Sequence, residues 1–462
     1  MVQRERALRL FRFERKVHSL KILFKERTPL WGSFCLWYTD GMKRVFKRGS
    51  DIIVILLLAL CAGFFVLIAV RMFGPKAEPK KVEIPTINLG LKDVTYDEFK
   101  SGAKDKKYKG NTVDFTVDGA TTTYENVELK GRGNSTWGQA KSPFQLKFSE
   151  SVDLLGLGSA KKWVFLANYF DDSNLRNDIA FKLANMLGEE YANRGEFVKV
   201  MVGEDYLGLY YLTHKMEAKK GSVELQDKLG VLMEIDILHR DTEECFDTKY
   251  GTCMTLKDPV ADEDEEADIV AEAVDGFMDS YNRFEDAARA KDWNWISEIV
   301  DTRSFAEYYL ISEFSNNPDA YYSSYYFYKD GPEDKIHAGP AWDYDYAFAN
   351  RRWSPEAEEI VYSPYTSNFH RDVLKQTTSA KEIYYLIDMP EFMDEVKSVF
   401  KEKLAGRSGE FLSWLKARAA AIREESLNDA DRWAIYDTAE ETDYLIDWIR
   451  RKYDYLEYVL GR

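Results

Sequence analysis

The sequence predicts an α+β protein in two parts, β-rich first and mainly helical after, that follows a single membrane-spanning helix. Three observations carry that expectation. One long uncharged apolar run lies near the N-terminus, short β-branched and aromatic segments continue to about residue 240, and helical periodicity begins at about residue 262. The chain has 462 residues, 45% of them hydrophobic and 15% aromatic, which is enough apolar surface for a sizeable core and excludes disorder throughout.

The formal net charge of −16 is unevenly spread: residues 1–50 carry 13 Lys/Arg against four Asp/Glu, a balance of +9, which leaves −25 for the rest. An acidic bulk of that size argues against a nucleic-acid partner. Between the two regimes lies Ile52–Val70, 19 residues with no charge and no polar stripe. At the helical rise this nearly spans a bilayer's hydrocarbon core, so the lipid bilayer is expected as a partner. Lys43, Arg44, Lys47 and Arg48 precede the run and extend a basic cluster from Arg4 to Arg27. The bias orients the N-terminus to the cytoplasm and the acidic part outside, a single-pass arrangement in the cell membrane. The expected organisation is a basic cytoplasmic segment (1–50), the span (51–72), a Pro- and Lys-rich extracellular stalk (73–85), and an exported domain (86–462) divided into a β-rich lobe (86–240) and a helical lobe (241–462).

Within the exported part, NTVDFTV (111–117), TTYENVELKG (122–131), PFQLKFS (143–149) and WVFLANY (163–169) read as strands. A helix starts near Asp172 and ends at Gly188, where Asp and Ser supply capping groups and glycine supplies the left-handed stop. EFVKVMV (196–202), LYYLTHKM (209–216) and VLMEIDIL (231–238) read as further strands. The acidic run from 262 suits a helix start, because carboxylates favour the positive end of the helix dipole. More helices are expected at 303–316, 390–404, 408–426 and 439–460, with one β-like stretch at 323–348. Cys245 and Cys253, with seven residues between them, fit either a short disulfide loop or two free thiols. His18, His214, His239, His337 and His370 show no metal spacing, and no GxxxxGK[ST] loop is present.

Four segments hold polar residues in patterns that sites use. In KGRGNSTW (130–137) two glycines flank Arg132, whose guanidinium can fork onto phosphate or carboxylate. In KSPFQLKF (141–148), Lys147 alternates with Leu146 and Phe148; a surface lysine is the default reading, and a lysine projecting from a strand over a cleft can hold a pair of phosphates. NYFDDSNLRND (168–178) puts Arg176 in the first turns of a helix. Finally, Asp319 in NNPDAYYSSYYFYKD is followed by Asp343 and Asp345 in GPAWDYDYAFAN, where period two places both on one strand face. Two such carboxylates suit Mg²⁺, which takes hard oxygens and also substrate phosphates.

Taken in order, KGRGNSTWGQAKSPFQLKF, LANYFDDSNLRNDIAFKLA, VMVGEDYLGLYYLTHKME, the DAYYSSYYFYKD–GPAWDYDYAF pair and DRWAIY resemble the CotH kinase family, the spore-coat H-type atypical protein kinases. The likeness spans roughly residues 84–460. It implies an atypical protein-kinase-like two-lobed domain that uses ATP and Mg²⁺ to phosphorylate Ser/Thr of an envelope or secreted protein. Carried over, it makes Asp319 the catalytic aspartate and Asp343 or Asp345 the metal ligand. Lys147, Lys141 and Arg132 would line the nucleotide, Arg176 would be a further phosphate contact, and Glu217 or Glu234 would pair with the nucleotide lysine. Ser324 stands where the family commonly shows a metal-binding Asn, His214 where it shows an acid, and Ser142 where it shows a second Lys. Those departures, with 29 Tyr and 11 Trp, motivate the alternative of a catalytically silent envelope adhesion or assembly module.

Overall fold

Alternation along β1 (Thr86–Gly90) and β2 (Tyr108–Val117) puts Ile87, Leu89, Val113 and Phe115 on one face and polar side chains on the other. β3 (Ala120–Gly131), β4 (Phe144–Asp153) and β5 (Ser159–Leu166) continue the pattern with Val127, Leu129, Phe144, Leu146, Phe148, Trp163 and Phe165. With β6 (Gly195–Val202) and β7 (Asp205–His214), these strands close into a seven-stranded barrel of order β1-β2-β3-β4-β5-β7-β6. A parallel pairing of β1 with β6 makes the closure; every other pair is antiparallel. A short helix, α1 (Tyr96–Ser101), is held by a Thr95–Glu98 capping box and sends Phe99 into the barrel core against Trp137. The computed structural model describes residues 83–236, 244–261, 266–351, 363–366, 380–434 and 438–461.

β7 is buried along almost its whole length because it serves two cores. Tyr210 and Leu212 point into the barrel, while Leu209 and Tyr211 pack outward against a second, larger core. Phe181 of α2 (Arg176–Leu187) and Phe197 of β6 lie 6.0 and 5.0 Å from the Tyr211 ring. α2 ends at Gly188 with φ 105°, the left-handed stop expected there. Its start differs from expectation: the cap position is Leu175, and the Asp171 carboxylate reaches the first turn by accepting the Arg176 N–H at 2.7 Å.

The larger core is built on a second sheet of five strands, β12-β11-β8-β10-β9. These are β8 (Gly230–Ile235), β9 (Phe246–Asp247), β10 (Cys253–Pro259), β11 (Tyr325–Asp330) and β12 (His337–Ala338). Helices α3 (Ala267–Ala290), α4 (Trp293–Ile299), α5 (Thr302–Ser315), α6 (Lys381–Leu386), α7 (Pro390–Lys403), α8 (Ser408–Trp433) and α9 (Thr438–Leu460) make up most of the rest. α5 runs through the middle and is buried on all sides from Ser304 to Ser315.

This architecture corrects the expected fold class. The first strands form a closed barrel with its own core rather than the sheet of a kinase-like lobe. β8, expected to end that lobe, pairs instead with β10 and β11, so the sheet crosses the expected lobe boundary. Strand propensity identifies segments, but register between strands far apart in sequence decides which sheet each joins. The apolar run Ile52–Val70 and the basic segment before it lie outside the described residues. Among the described residues, no helix is long and apolar enough to cross a membrane.

Candidate active site

A buried polar clamp fixes the loop that carries Asp343 and Asp345. Glu189, just past α2, accepts the Ala341 N–H with both carboxylate oxygens at 3.0 and 3.1 Å, and Asn193 donates to the Ala341 carbonyl at 3.2 Å. Asn177 accepts the Tyr344 N–H at 2.8 Å, Arg176 Nε donates to the Ala347 carbonyl at 2.8 Å, and Asn350 donates to the Asp345 carbonyl at 2.6 Å. The loop is irregular rather than a strand, so period-two alternation does not govern the two aspartates. Asp343 instead adopts φ 64°, and its side chain still reaches that of Asp345 by hydrogen bonding. Left-handed backbone at a non-glycine residue persists only when its surroundings over-determine it, and the clamp does so here.

The facing wall is the turn between α5 and β11. Asn316 caps α5 in the left-handed region, and Asn317 accepts the Asp319 N–H at 3.1 Å. Asp319 in turn accepts the Tyr322 and Ser323 N–H groups through its backbone carbonyl, both at 3.0 Å. Ser324, at φ 53°, donates to Asp343 at 3.5 Å, and Ser323 donates to Asp236 at 3.0 Å. Asp236 follows β8 directly, two residues after Glu234. Arg132, from the end of β3, lies over the Trp342 ring at 5.4 Å and is drawn electrostatically to Asp343 and Glu234.

The electrostatics record crowding of like charge. Burial, then Asp343 and Asp236, push the Asp319 carboxyl up to about 7. Protein packed around Asp343 raises it, although one edge is open to solvent; Arg132 opposes that shift and Asp236 adds to it. Asp345, buried, is driven well above the ordinary carboxylate range by burial and then by Asp343, Asp319 and Asp171. A cleft with four carboxylates and too little positive charge is suited to a divalent cation. Among the described residues, no group of three His, Cys, Asp or Glu side chains forms a ready cage for one. The donor set therefore fits a hard cation held by one or two carboxylates, with phosphate oxygens completing its shell, as Mg²⁺ is commonly bound.

Of the residues expected from sequence, Asp319, Asp343, Asp345, Ser324, Arg132 and Glu234 come together. The others do not. Lys147 is exposed on the outside of the barrel, because Leu146 and Phe148 take the inward positions. Lys141 is fully buried and donates to Asp429 of α8 at 2.8 Å and to the Leu209 carbonyl at 2.6 Å, tying the barrel to that helix. The DRWAIY block reinforces this seam, with Trp433 donating to the Leu207 carbonyl at 3.0 Å. Arg176 is spent on Asp171 at 2.5 Å and Glu441 at 2.6 Å. Glu217 pairs with Lys162 at 2.5 Å, His214 packs on Trp163, and Ser142 closes a turn onto the Trp137 carbonyl.

Sequence reasoning missed Asp236 and Ser323. Asp236 had a usable signal, since MEID repeats at the end of β8 the carboxylate spacing of WDYD.

An acidic cleft with an arginine at its rim is the kind of site phosphoryl transfer requires, since that chemistry is mostly positioning and charge neutralisation. The family follows from the sequence match: the model described as CotH kinase protein covers residues 129–456, and the chain belongs to this family. Among solved structures, the crystal structure of a Helicobacter pylori proinflammatory kinase, CtkA, is similar at 9% identity over 72% of this chain and 96% of that one. Its TM-score is 0.27, an overlap too slight to bear on the fold or the site. No curated protein matches the chain.

Proposed function

We propose that the chain transfers the γ-phosphoryl group of ATP to Ser/Thr hydroxyls of a cell-envelope or secreted protein. The observation that carries this reading is the meeting of Asp319, Asp343 and Asp345 at one cleft opposite Arg132. Asp319 orients the acceptor hydroxyl and takes its proton as the new oxygen–phosphorus bond forms. The bond from that phosphorus to the bridging oxygen breaks, and ADP leaves with the electron pair. Asp343 and Asp345, with the Ser324 hydroxyl, would hold Mg²⁺, which when bound supplies charge neutralisation to the phosphates. Arg132 would meet phosphate oxygens from the other side.

The pairing of Cys245 with Cys253, whose Cα atoms are 5.5 Å apart, supports an exported location, because stable disulfides belong to oxidising compartments. The charge split around Ile52–Val70 supports the same reading from sequence.

The test is transfer of labelled γ-phosphate by the purified full-length chain to itself and to a panel of acceptor proteins with Mg²⁺. Wild type should label and Asp319→Ala should not. Equal labelling by the two would remove the proposal.

A further inference from the structure

We propose that Lys452, on the last helix, is the positioning residue that sets Asp319 for transfer, acting through the Asn316 side chain. The inference deepens the kinase reading and rests on it.

α9 braces both walls of the cleft along one face. Glu441, Leu445, Trp448 and Lys452 recur at helical spacing, which stacks them on one side. Glu441 takes Arg176, whose Nε holds the Ala347 carbonyl. Trp448 meets the Phe348 ring edge-on at 6.3 Å, and the Phe348 N–H donates to the Ser315 carbonyl at 2.6 Å. Tyr453 packs against Phe314 at 5.3 Å. The end of α5 and the end of the Asp343 loop are therefore fastened to each other and to the same helix.

Lys452 is where α9 grips the turn that carries Asp319. Its side chain is fully buried and donates to Asn316 Oδ1 at 2.7 Å and to the Thr366 carbonyl at 2.6 Å. Asn316 Nδ2 donates in turn to the Ser363 carbonyl at 2.9 Å, so both ends of that side chain are held. Asn316 is the left-handed residue, φ 46°, at which the chain leaves α5, and Asn317 beyond it accepts the Asp319 N–H. Rotation at Asn316 would swing Asp319, and the lysine opposes that rotation.

The other buried lysine that bridges distant elements, Lys141, sits against a carboxylate, Asp429, at 2.8 Å. Lys452 has Glu313 only at 4.0 Å, the outer limit of an ion pair, and burial pushes its ammonium down to about 8. Burying a cation mainly against neutral oxygens costs stability, so the gain is the fixed geometry at Asn316.

The experiment measures kcat for γ-phosphate transfer by the full-length chain with Mg²⁺, together with KM for ATP and ADP affinity. Lys452→Met should lower kcat about 10- to 100-fold, the scale of a small misplacement of a reacting group, with KM and ADP affinity unchanged. On the same reading nucleotide and metal are held by Asp343, Asp345 and Arg132, which the substitution does not touch. Because Lys452→Met leaves buried oxygens without their donor, Asn316→Gly is the second variant. Glycine keeps the left-handed backbone, removes the side chain that Lys452 holds, and leaves the lysine its Thr366 bond. It should show the same selective fall in kcat, and the double variant should fall no further than either single one. Unchanged kcat in folded Asn316→Gly, or a fall in ADP affinity that matches the fall in kcat, would overturn the positioning role and leave the kinase reading standing. A wild type that transfers no phosphate would overturn both.

Discussion

The barrel and the second sheet with its helices solve different physical problems. In the barrel, the non-glycine residues with positive φ are Asp93, Asp118 and Asn126, side chains that tolerate turns, with Leu155 the exception. In the other region Asn316 and the helix-end residues Lys291, Ala380 and Ala434 also have positive φ, but five more, Tyr321, Ser324, Asp343, Phe348 and Ala349, gather between α5 and the end of the Asp343 loop. The barrel encloses an apolar core and leaves Lys147 in solvent, whereas the second region holds Asp345, Glu234 and Glu189 out of water with raised proton affinity. Strain and buried like charge cost stability, and they collect where a cation and a phosphate would relieve them. On the proposed reading the barrel is the scaffold and the chemistry lies beyond it, with Arg132 reaching across.

The largest expected effect would sharpen that division. Asp343→Asn should lower phosphoryl transfer by about 10²- to 10³-fold, the scale of losing one electrostatic contact to a transition state, while the thermal midpoint holds or rises. Removing one of several crowded carboxylates relieves repulsion, so a large fall in the midpoint would show that Asp343 is structural. Next comes the clamp. Arg176→Ala leaves buried Asp171 without its cation and Glu441 with Arg351 alone, and should cost about 3–5 kcal/mol in denaturant unfolding, as broken buried pairs do. A cost near zero would mean that the clamp does not hold the loop.

A pH series separates the regions without mutation. Burial pushes Glu189 and Glu382 up to about 8 and Glu307 to about 7. Each binds its proton in the folded chain at a pH where the unfolded chain has lost it. That stabilisation is complete below the ordinary carboxylate range and is lost as pH rises through these values. The thermal midpoint should therefore fall between about pH 5 and pH 8, and a midpoint that climbs over that interval would contradict the assignment. The smallest effect is expected at Lys147→Ala, within about 0.5 kcal/mol of wild type and with full activity, since an exposed side chain without a special role contributes little.

Much of this organisation was legible in the sequence. The barrel segments from Asn111 to Met216 show their alternation plainly, and α7 and α9 show an amphipathic period, because local propensity and burial agree there. Asp319, Asp343 and Asp345 stood out as carboxylates set among aromatics. Closure of the barrel did not show, since a parallel pairing of β1 with β6 leaves no local signature. Lys147 misled because alternation fixes which side chains share a face but not which face is the cleft. Arg176 and Lys141 misled because a conspicuous cation near a helix start or strand looks the same whether it meets a phosphate or a buried aspartate.

On the proposed reading the carboxylate cluster, and not Lys147 of the barrel, receives the nucleotide with its metal. Thermal denaturation of the full-length chain with Mg²⁺ and a non-hydrolysable ATP analogue tests it directly. Ligand at about a hundred times its Kd should stabilise a true binder by about 2.7 kcal/mol. Wild type and Lys147→Ala should show that shift, and Asp343→Asn should lose it. A shift that survives Asp343→Asn and disappears in Lys147→Ala would contradict the account.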